Sequence, residues 1–222
     1  LPFFANKNMV LTSANFFSKE RIQKKRKYLG KVGKIIIQSE QQRKELLDAG
    51  IDEKKVHLIY PPVNLQQFSH HKATSKDFTI LNASCPTRAR FLNKRGIYLL
   101  LAADPFLQDI KIKFLWRGGE YPLFKKKVKD SDFNNMLFEN KIHTDMNFQY
   151  AQVHCTIIPY LQSDEFLKTM PTSVIESLAA GKPVLVSSQT GIAEIVTKEK
   201  CGVVFEPTKE SLLKAIDEIK NN

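Results

Sequence analysis

Residues 168–187 have the sequence KTMPTSVIESLAAGKPVLVS, which joins a short helix to an apolar strand. Ser173 and Glu176 have the S-x-x-E spacing of a capping box, with the serine as N-cap and the glutamate as third helical residue. Gly181 allows a left-handed end to the helix, and Pro183 precedes the strand VLVS. The segment predicts a helix followed at once by a buried strand.

Apolar runs bounded by turn residues recur along the chain, and most are unbroken rather than alternating. Such runs are typical of parallel strands covered on both faces. Strands are predicted at residues 34–38, 56–60, 78–83, 112–116, 136–138, 153–159, 184–187 and 203–205. Helices are predicted at residues 41–49, 97–103, 121–129, 145–151, 174–180 and 210–220. This alternation predicts an α/β fold with a doubly wound, Rossmann-like parallel sheet.

The segment YPP at residues 60–62 is the candidate domain boundary, because two prolines cannot continue a strand ladder. Residues 1–62 contain only two predicted strands, which are too few for an independent sheet. Residues 63–222 contain the other six, enough for a complete sheet. We therefore expect residues 1–62 to be the end of another domain, in a chain that starts with leucine and is a piece of a longer protein.

Composition limits the classes of protein that the chain can belong to. Of its 222 residues, 42% are hydrophobic, which is enough to form a folded core. No apolar run reaches the roughly 18 residues of a membrane span. The cysteines Cys85, Cys155 and Cys201 lack metal-ligand spacing and disulfide-like pairing, so we expect thiols in a reducing, cytoplasmic compartment and no metal site.

The net charge of +11 is concentrated in a few segments. Residues 21–34, RIQKKRKYLGKVGK, carry seven positive charges and no negative ones. This run has two possible interpretations. It is a solvated surface, or it contacts an anionic membrane surface or a phosphate. Nucleic acid is not an expected partner, because the basic runs lack interleaved aromatic residues and no recognised binding module occurs.

Four segments, in order, resemble one family. They are residues 35–68 (IIIQSEQQRKELLDAGIDEKKVHLIYPPVNLQQF), 114–121 (FLWRGGEY), 148–160 (FQYAQVHCTIIPY) and 171–196 (PTSVIESLAAGKPVLVSSQTGIAEIV). This order is similar to that of the nucleotide-sugar-dependent glycosyltransferases of the GT-B fold, in the retaining "group 1" class. The resemblance implies that residues 63–222 are the donor-binding domain and that residues 1–62 are a remnant of the acceptor-side domain.

The resemblance also implies roles for the residues around the opening helix. In that family the helix glutamate holds the ribose hydroxyls of the nucleotide, which here assigns that role to Glu176; a carboxylate can accept both hydrogen bonds of a vicinal diol. A helix cap and a ligand contact do not exclude each other. Where the family often has an acidic sugar contact, eight positions earlier, this sequence has Lys168. The resemblance also implies which residues line the sugar and phosphate region, namely Met170, Pro171, Thr172 and Ser173.

Two cations of the family lie after the first strand of the donor domain, where they neutralise the diphosphate leaving group without a metal. Lys94 precedes Arg95 and Gly96 and matches the family lysine. Cys85 stands at the position of the family arginine. The side chain of Arg88 or Arg90 would therefore have to contact the diphosphate in its place. The alternative is that these are solvated loop cations.

Three further residues have both a functional and a structural interpretation. Gly118 belongs to a Gly-x-Gly-type turn after a strand, as in the family's donor site. His143 lines the base pocket or is solvated. Glu194 begins a helix, where it either lies near the donor pocket, as the resemblance implies, or favours the helix dipole.

The sequence therefore predicts a glycosyltransferase fragment that binds a nucleotide-diphosphate sugar and transfers the sugar with retention to a glycan or lipid-linked acceptor. No cofactor or metal is expected, and the predicted location is cytoplasmic, at the inner membrane face. We expect the chain alone to transfer little sugar. The alternative is a non-catalytic nucleotide-binding or membrane-surface module, because Lys168 and Cys85 replace the usual acidic and arginine residues.

Overall fold

The computed structural model describes residues 5–15, 17–83, 86, 88–116, 118–128, 132–162 and 169–221. These residues form two compact units that divide between Pro62 and Val63. Thr169 and Met170 group with the first unit, where the Thr169 amide donates to the Ala14 carbonyl at 3.0 Å.

The first unit is a parallel sheet in the order β1 (Val10–Thr12), β2 (Lys34–Ile37) and β3 (Val56–Leu58). Two helices, α1 (Lys19–Leu29) and α2 (Glu40–Asp48), accompany the sheet. The prediction of only two strands in this region was wrong. β1 has three residues, too few to show a periodic pattern, and it is recognisable only from its pairing with β2.

Helix α1 overlaps the first part of the basic run and was not predicted from the sequence. The Ser18 hydroxyl accepts from the Arg21 amide at 3.2 Å and caps its start. Only Ile22 and Leu29 are buried along this helix. Two apolar positions a heptad apart, among many cations, are too weak a signal to identify a helix from sequence.

The second unit contains, among its described residues, a six-stranded parallel sheet in the order β6-β5-β4-β7-β8-β9. The strands are β4 (Phe78–Asn82), β5 (Ile110–Trp116), β6 (Met136–Asn140), β7 (Cys155–Ile158), β8 (Val184–Ser187) and β9 (Gly202–Phe205). The helices are α3 (Ile97–Ala103), α4 (Tyr121–Lys127), α5 (Met146–Ala151), α6 (Thr172–Ala179), α7 (Ala193–Glu199) and α8 (Lys209–Asn221). The predicted doubly wound α/β fold is confirmed.

Helices cover both faces of this sheet, which explains the unbroken apolar strands. On one face Ile80 and Phe114 pack with residues of α3 and α8 such as Leu100 and Leu212. On the other face Leu81 and Leu115 pack against Tyr150 of α5. Burial of both faces of a strand favours apolar side chains at successive positions.

The start of α6 differs from the sequence prediction. The helix begins at Thr172 with Pro171 as N-cap, and it has no side-chain cap hydrogen bond. The capping box with Ser173 as N-cap was therefore wrong, and Glu176 is the fifth helical residue. Extended Pro171 (φ −63°, ψ 132°) ends the loop earlier, and its carbonyl accepts from the Val174 amide at 3.0 Å. The predicted left-handed end at Gly181 is confirmed, with φ +68°.

The loop between β4 and α3 is held against the end of β7. Gly96 has φ +70°, and a Cβ atom placed there would lie 1.7 Å from the Pro159 carbonyl oxygen. Two residues away, the Lys94 carbonyl accepts from the Leu161 amide at 3.0 Å. Only glycine permits both this backbone conformation and this approach.

We expect Gly96→Ala to lower the free energy of unfolding by about 3 kcal/mol, because it combines left-handed strain with a backbone clash. Gly118→Ala is the matched control: Gly118 has φ +64° but nothing within 4 Å of the added Cβ, so only about 1 kcal/mol is expected. Urea unfolding can be followed through Trp116, the one tryptophan of the chain and a buried core residue. Equal losses in the two variants would show that the contact with Pro159 does not constrain the loop.

Candidate functional site

The candidate site lies at the carboxyl edge of the six-stranded sheet. All its strand pairs are parallel, so the loops that follow the strands emerge at one edge. The strand order reverses between β4 and β7, and doubly wound sheets bind ligands at such a switch point. The loop after β4 carries Arg88, Arg90 and Lys94, and the loop after β7 leads into α6 with Glu176.

Glu176 is held in place by a tyrosine from the preceding helix. The Tyr150 hydroxyl lies 2.9 Å from Glu176 Oε2, to which it donates, and 3.1 Å from the Ser173 carbonyl oxygen. Tyr150 is fully buried, whereas Glu176 is half-buried. A carboxylate has about four lone-pair positions, so the bond to Tyr150 leaves acceptor capacity for two further donors.

Tyr150 is a site residue that sequence reasoning missed. It stands 26 residues before Glu176, beyond any spacing rule for a helix or strand. Its segment was recognised in the family resemblance as an approach to the donor site, but Tyr150 was not identified as a partner of the glutamate. The structure makes the connection because α5 and α6 lie on the same face of the sheet.

The residues that precede Glu176 have different environments. Thr172 is exposed at the first position of α6, whereas Ser173 is buried. Pro171 is buried and caps the helix, and Met170, also buried, groups with the first unit. The helix N-terminus carries partial positive charge, which favours an anion at this edge.

The cations of the β4 loop are not equivalent. Lys94 is half-buried, and its carbonyl is bonded to the loop after β7. Arg88 and Arg90 are exposed, and the Arg90 guanidinium lies 4.9 Å from the centre of the Phe91 ring. The Glu120 carboxylate accepts from the Ala89 amide and ties this loop to the turn after β5. Lys94 is therefore the cation that the backbone anchors most directly at the switch point.

Gly118 and His143 lie on the β5–β6 side of the site. The Gly118 amide donates to Asn140 Oδ1 at 2.8 Å, which joins the turns after β5 and β6. His143 Nε2 lies 3.2 Å from Glu139 Oε2, although not in hydrogen-bond geometry. Burial lowers the pKa of the His143 imidazole, and the Glu139 charge opposes this change. His143 is therefore neutral at pH 7.

Glu139 also contacts a buried lysine. Its Oε1 lies 2.8 Å from Lys113 Nζ, which donates as well to Gln149 of α5 and to Gln152 at the end of that helix. Burial alone would raise the pKa of the Glu139 carboxyl, but the hydrogen bonds and charges of Lys113 and Lys141 together outweigh it and hold the pKa below its ordinary value. This ionised network attaches α5, and with it Tyr150, to β5 and β6.

The remaining predicted residues have separate positions. Glu194 is exposed in the first turn of α7, on the β8 side of the switch point, as a dipole partner would be. Lys168 and Cys85 lie outside the described residues. Within the described part of the chain, no group of three or more His, Cys, Asp or Glu residues is placed to hold a metal ion. Nor is any helix found there that is long and apolar enough to cross a bilayer.

Comparisons with solved structures show the same fold in known glycosyltransferases. Sucrose-phosphate synthase from Thermosynechococcus elongatus superposes with a TM-score of 0.72 at 18% identity, over 92% of this chain and 53% of that one. A glycosyltransferase from Rickettsia africae ESF-5 superposes with a TM-score of 0.73 at 20% identity, over 96% of this chain and 60% of that one. HepE from Anabaena, in complex with UDP-glucose, superposes with a TM-score of 0.73 at 15% identity, over 94% of this chain and 61% of that one. This chain thus spans a little over half the length of these proteins.

The family comparison is more specific than the structural one. No curated protein matches the sequence at a significant level. The family model described as "Glycosyl transferases group 1" matches residues 85–222, which is more than half of the chain. The predicted family is thereby confirmed, and the structural likenesses confirm the GT-B, Rossmann-like fold. The chain belongs to the group 1 glycosyltransferases.

Proposed function

We propose that this chain supplies the nucleotide-sugar site of a retaining glycosyltransferase that acts on a glycan or lipid-linked acceptor. The observation that carries the proposal is the Glu176 carboxylate on α6, the helix that follows β7 at the switch point, held through one oxygen by Tyr150. The similar protein HepE was crystallised with UDP-glucose, which supports a nucleotide-diphosphate sugar as donor.

In this proposal Glu176 accepts hydrogen bonds from the two ribose hydroxyls. Tyr150 orients the carboxylate before the ligand arrives, so that less rotational freedom is lost on binding. In the proposed complex Gly118 and His143, on the β5–β6 side of the site, are near the nucleobase. Glu194 is on the β8 side of the site. Neutral His143 can offer one donor and one acceptor to a base edge.

Lys94, together with Arg88 or Arg90, stabilises the diphosphate as the bond to the sugar breaks. Negative charge develops on the leaving group, and cations already in position stabilise it without a metal or another cofactor. The positive end of α6 adds to this field. The donor contacts are completed by the residues that line the sugar and phosphates, which are Met170, Pro171, Thr172 and Ser173.

The two units have separate roles in this proposal. Residues 63–222 bind the donor, and residues 1–62 belong to the acceptor side. We place the enzyme in the cytoplasm, at an anionic inner membrane face, because α1 exposes the cations Lys24 and Lys27. Since the chain spans little more than half of its structural relatives, we propose that it binds nucleotide but transfers little sugar alone.

Replacement of Glu176 by glutamine tests the ribose contact. Glu176→Gln should weaken binding of the tighter ligand among UDP and GDP about tenfold in calorimetry, because a charge-assisted hydrogen bond is lost. The 2′,3′-dideoxy analogue should bind both proteins equally. Glu210→Gln, at an exposed glutamate in the first turn of α8, is the control and should change nothing. If neither nucleotide binds the unaltered chain, the non-catalytic alternative without a donor site is favoured.

Replacement of Tyr150 by phenylalanine tests the orienting hydrogen bond. Tyr150→Phe should weaken nucleotide binding three- to tenfold, since one hydrogen bond of about 1 kcal/mol is removed. The double variant Tyr150→Phe/Glu176→Gln should bind only slightly less well than Glu176→Gln, because the two residues act through one contact. Fully additive losses would show that Tyr150 does not act through Glu176.

Replacement of Lys94 by methionine separates phosphate binding from ribose and base binding. Lys94→Met should weaken UDP binding at least tenfold, whereas uridine, which has no phosphate, should bind as before. Lys76→Met removes an exposed cation before β4, at the opposite end of that strand, and should leave both ligands unaffected. Equal losses for UDP and uridine would contradict a phosphate contact.

A further inference from the structure

A segment near the start of the second unit contacts two of its helices. We call residues 68–74 the strap. The strap contains neither helix nor strand, but contacts with α5 and with the turn after α6 recur along it. Connecting segments are usually more mobile than the elements that they join. A connection with specific contacts along its length can instead position the helices that it touches.

Hydrogen bonds attach both ends of the strap to α5. The Ser69 amide donates to Asn147 Oδ1 at 3.1 Å, and Asn147 Nδ2 donates back to Ser69 Oγ at 3.2 Å. The Thr74 amide donates to the Ala151 carbonyl at 3.2 Å. Asn147 lies near the start of α5 and Ala151 ends it, so the strap follows the whole helix. Because α5 has only six residues, it depends on such tertiary contacts.

The strap also contacts the turn that ends α6. Gly181 has φ +68°, and a Cβ atom placed there would lie 2.4 Å from Cδ2 of the His70 ring. The Lys182 ammonium donates to the His71 carbonyl. Lys182 is 5% exposed, so little water surrounds its charge and this carbonyl is an important partner. The strap thus connects α5 to the end of α6.

Phe68 brings the strap into contact with the candidate donor site. Its ring packs against the Tyr150 ring, with 6.1 Å between the ring centres and 58° between the ring planes. Phe68 is partly buried there, beside Leu81 and Leu115 of the sheet. The hydroxyl at the tip of the Tyr150 ring donates to Glu176 Oε2 at 2.9 Å. Two side chains therefore link the strap to the carboxylate.

We propose that Phe68 is a positioning residue of the donor site, and that the strap acts through it to hold the Tyr150 hydroxyl on Glu176. The tilted contact between the two rings limits the movement of the Tyr150 ring. A hydrogen bond weakens steeply when its donor turns out of line, and a carboxylate that is free to rotate loses more entropy when it binds a ligand. The inference rests on the proposed function, because it takes Glu176 as the ribose contact.

Calorimetry on the whole chain tests this role with the tighter ligand among UDP and GDP. Phe68→Ala should weaken its binding about threefold, because the ring contact is lost. The 2′,3′-dideoxy analogue should bind both proteins equally, since it lacks the hydroxyls that Glu176 contacts. Phe68→Leu keeps part of the apolar contact and should have a smaller effect. Phe106→Ala, which removes an exposed ring before β5, is the control and should change nothing.

A second variant alters the strap away from the ligand. Lys182→Met removes the bond to the His71 carbonyl but keeps an apolar stem. Lys182 follows the end of α6, whereas the candidate site is at its start. The variant should weaken binding of the nucleoside diphosphate about twofold and leave the dideoxy analogue unaffected, whereas a long-range charge effect would weaken both. Unchanged binding of both ligands would contradict a positioning role of the strap. Thermal unfolding of each variant shows whether the unit stays folded.

A double variant tests whether Phe68 acts through Tyr150. The Tyr150→Phe background keeps the ring but lacks the hydroxyl, so Phe68→Ala should cause almost no further loss of nucleotide binding there. Additive losses would mean that Phe68 acts elsewhere. Equal losses for the nucleoside diphosphate and its dideoxy analogue would indicate a general loosening of the unit. Either result would overturn the proposal.

NMR of the ligand-free chain separates this inference from the proposed function. The ¹³Cζ signal of Tyr150 reports on the hydrogen bond of its hydroxyl, and among the six tyrosines it is identified by its absence from Tyr150→Phe. Phe68→Ala should move this signal further in the unaltered chain than in a Glu176→Leu background, because the lost ring current is common to both. Equal shifts would overturn the positioning role. Unequal shifts without nucleotide binding would support it and contradict the donor function.

Discussion

The approach of the Gly96 backbone to the Pro159 carbonyl is the constraint on which the candidate site depends. It holds the loop after β4 against the end of β7, where the strand order reverses. Lys94 lies on that loop, and its carbonyl is bonded to Leu161. A larger residue at position 96 would separate the two loops. The position of Lys94 relative to the end of β7 thus depends on the absence of one side chain.

A second layer of contacts determines how Glu176 is presented. The carboxylate is bonded to Tyr150 of α5, and α5 is attached to the sheet through Lys113. Lys113 is 8% exposed and lies 2.8 Å from the partly exposed Glu139 of β6, and the hydrogen bond from Lys113 to Gln149 attaches the helix to this ion pair. Burying such a pair costs solvation free energy, but it can specify one arrangement of polar groups, and here that arrangement includes the orientation of Tyr150.

The basic character of the chain has more than one cause. Lys34 and Lys55 bind backbone carbonyls, which is a structural role. Lys94 lies on the loop at the candidate donor site, whereas Lys24 and Lys27 of α1 are exposed. Net charge alone would assign all of them to one anionic partner. The contacts instead separate cations with a structural role from the cation at the candidate site and from exposed ones.

The sequence by itself determined the fold class and the six strands of the second unit, because unbroken apolar runs depend on neighbouring residues. Its resemblance to a family also made Glu176 a candidate ligand, which stays a prediction. It did not determine the start of α6: the S-x-x-E spacing matched a capping box, but the extended Pro171 begins the helix at Thr172. β1 and the partnership of Tyr150 with Glu176 were decided by tertiary structure alone. Each arises from residues that are distant in the chain and become neighbours only when parallel strands bring their loops and helices to one edge or face of a sheet.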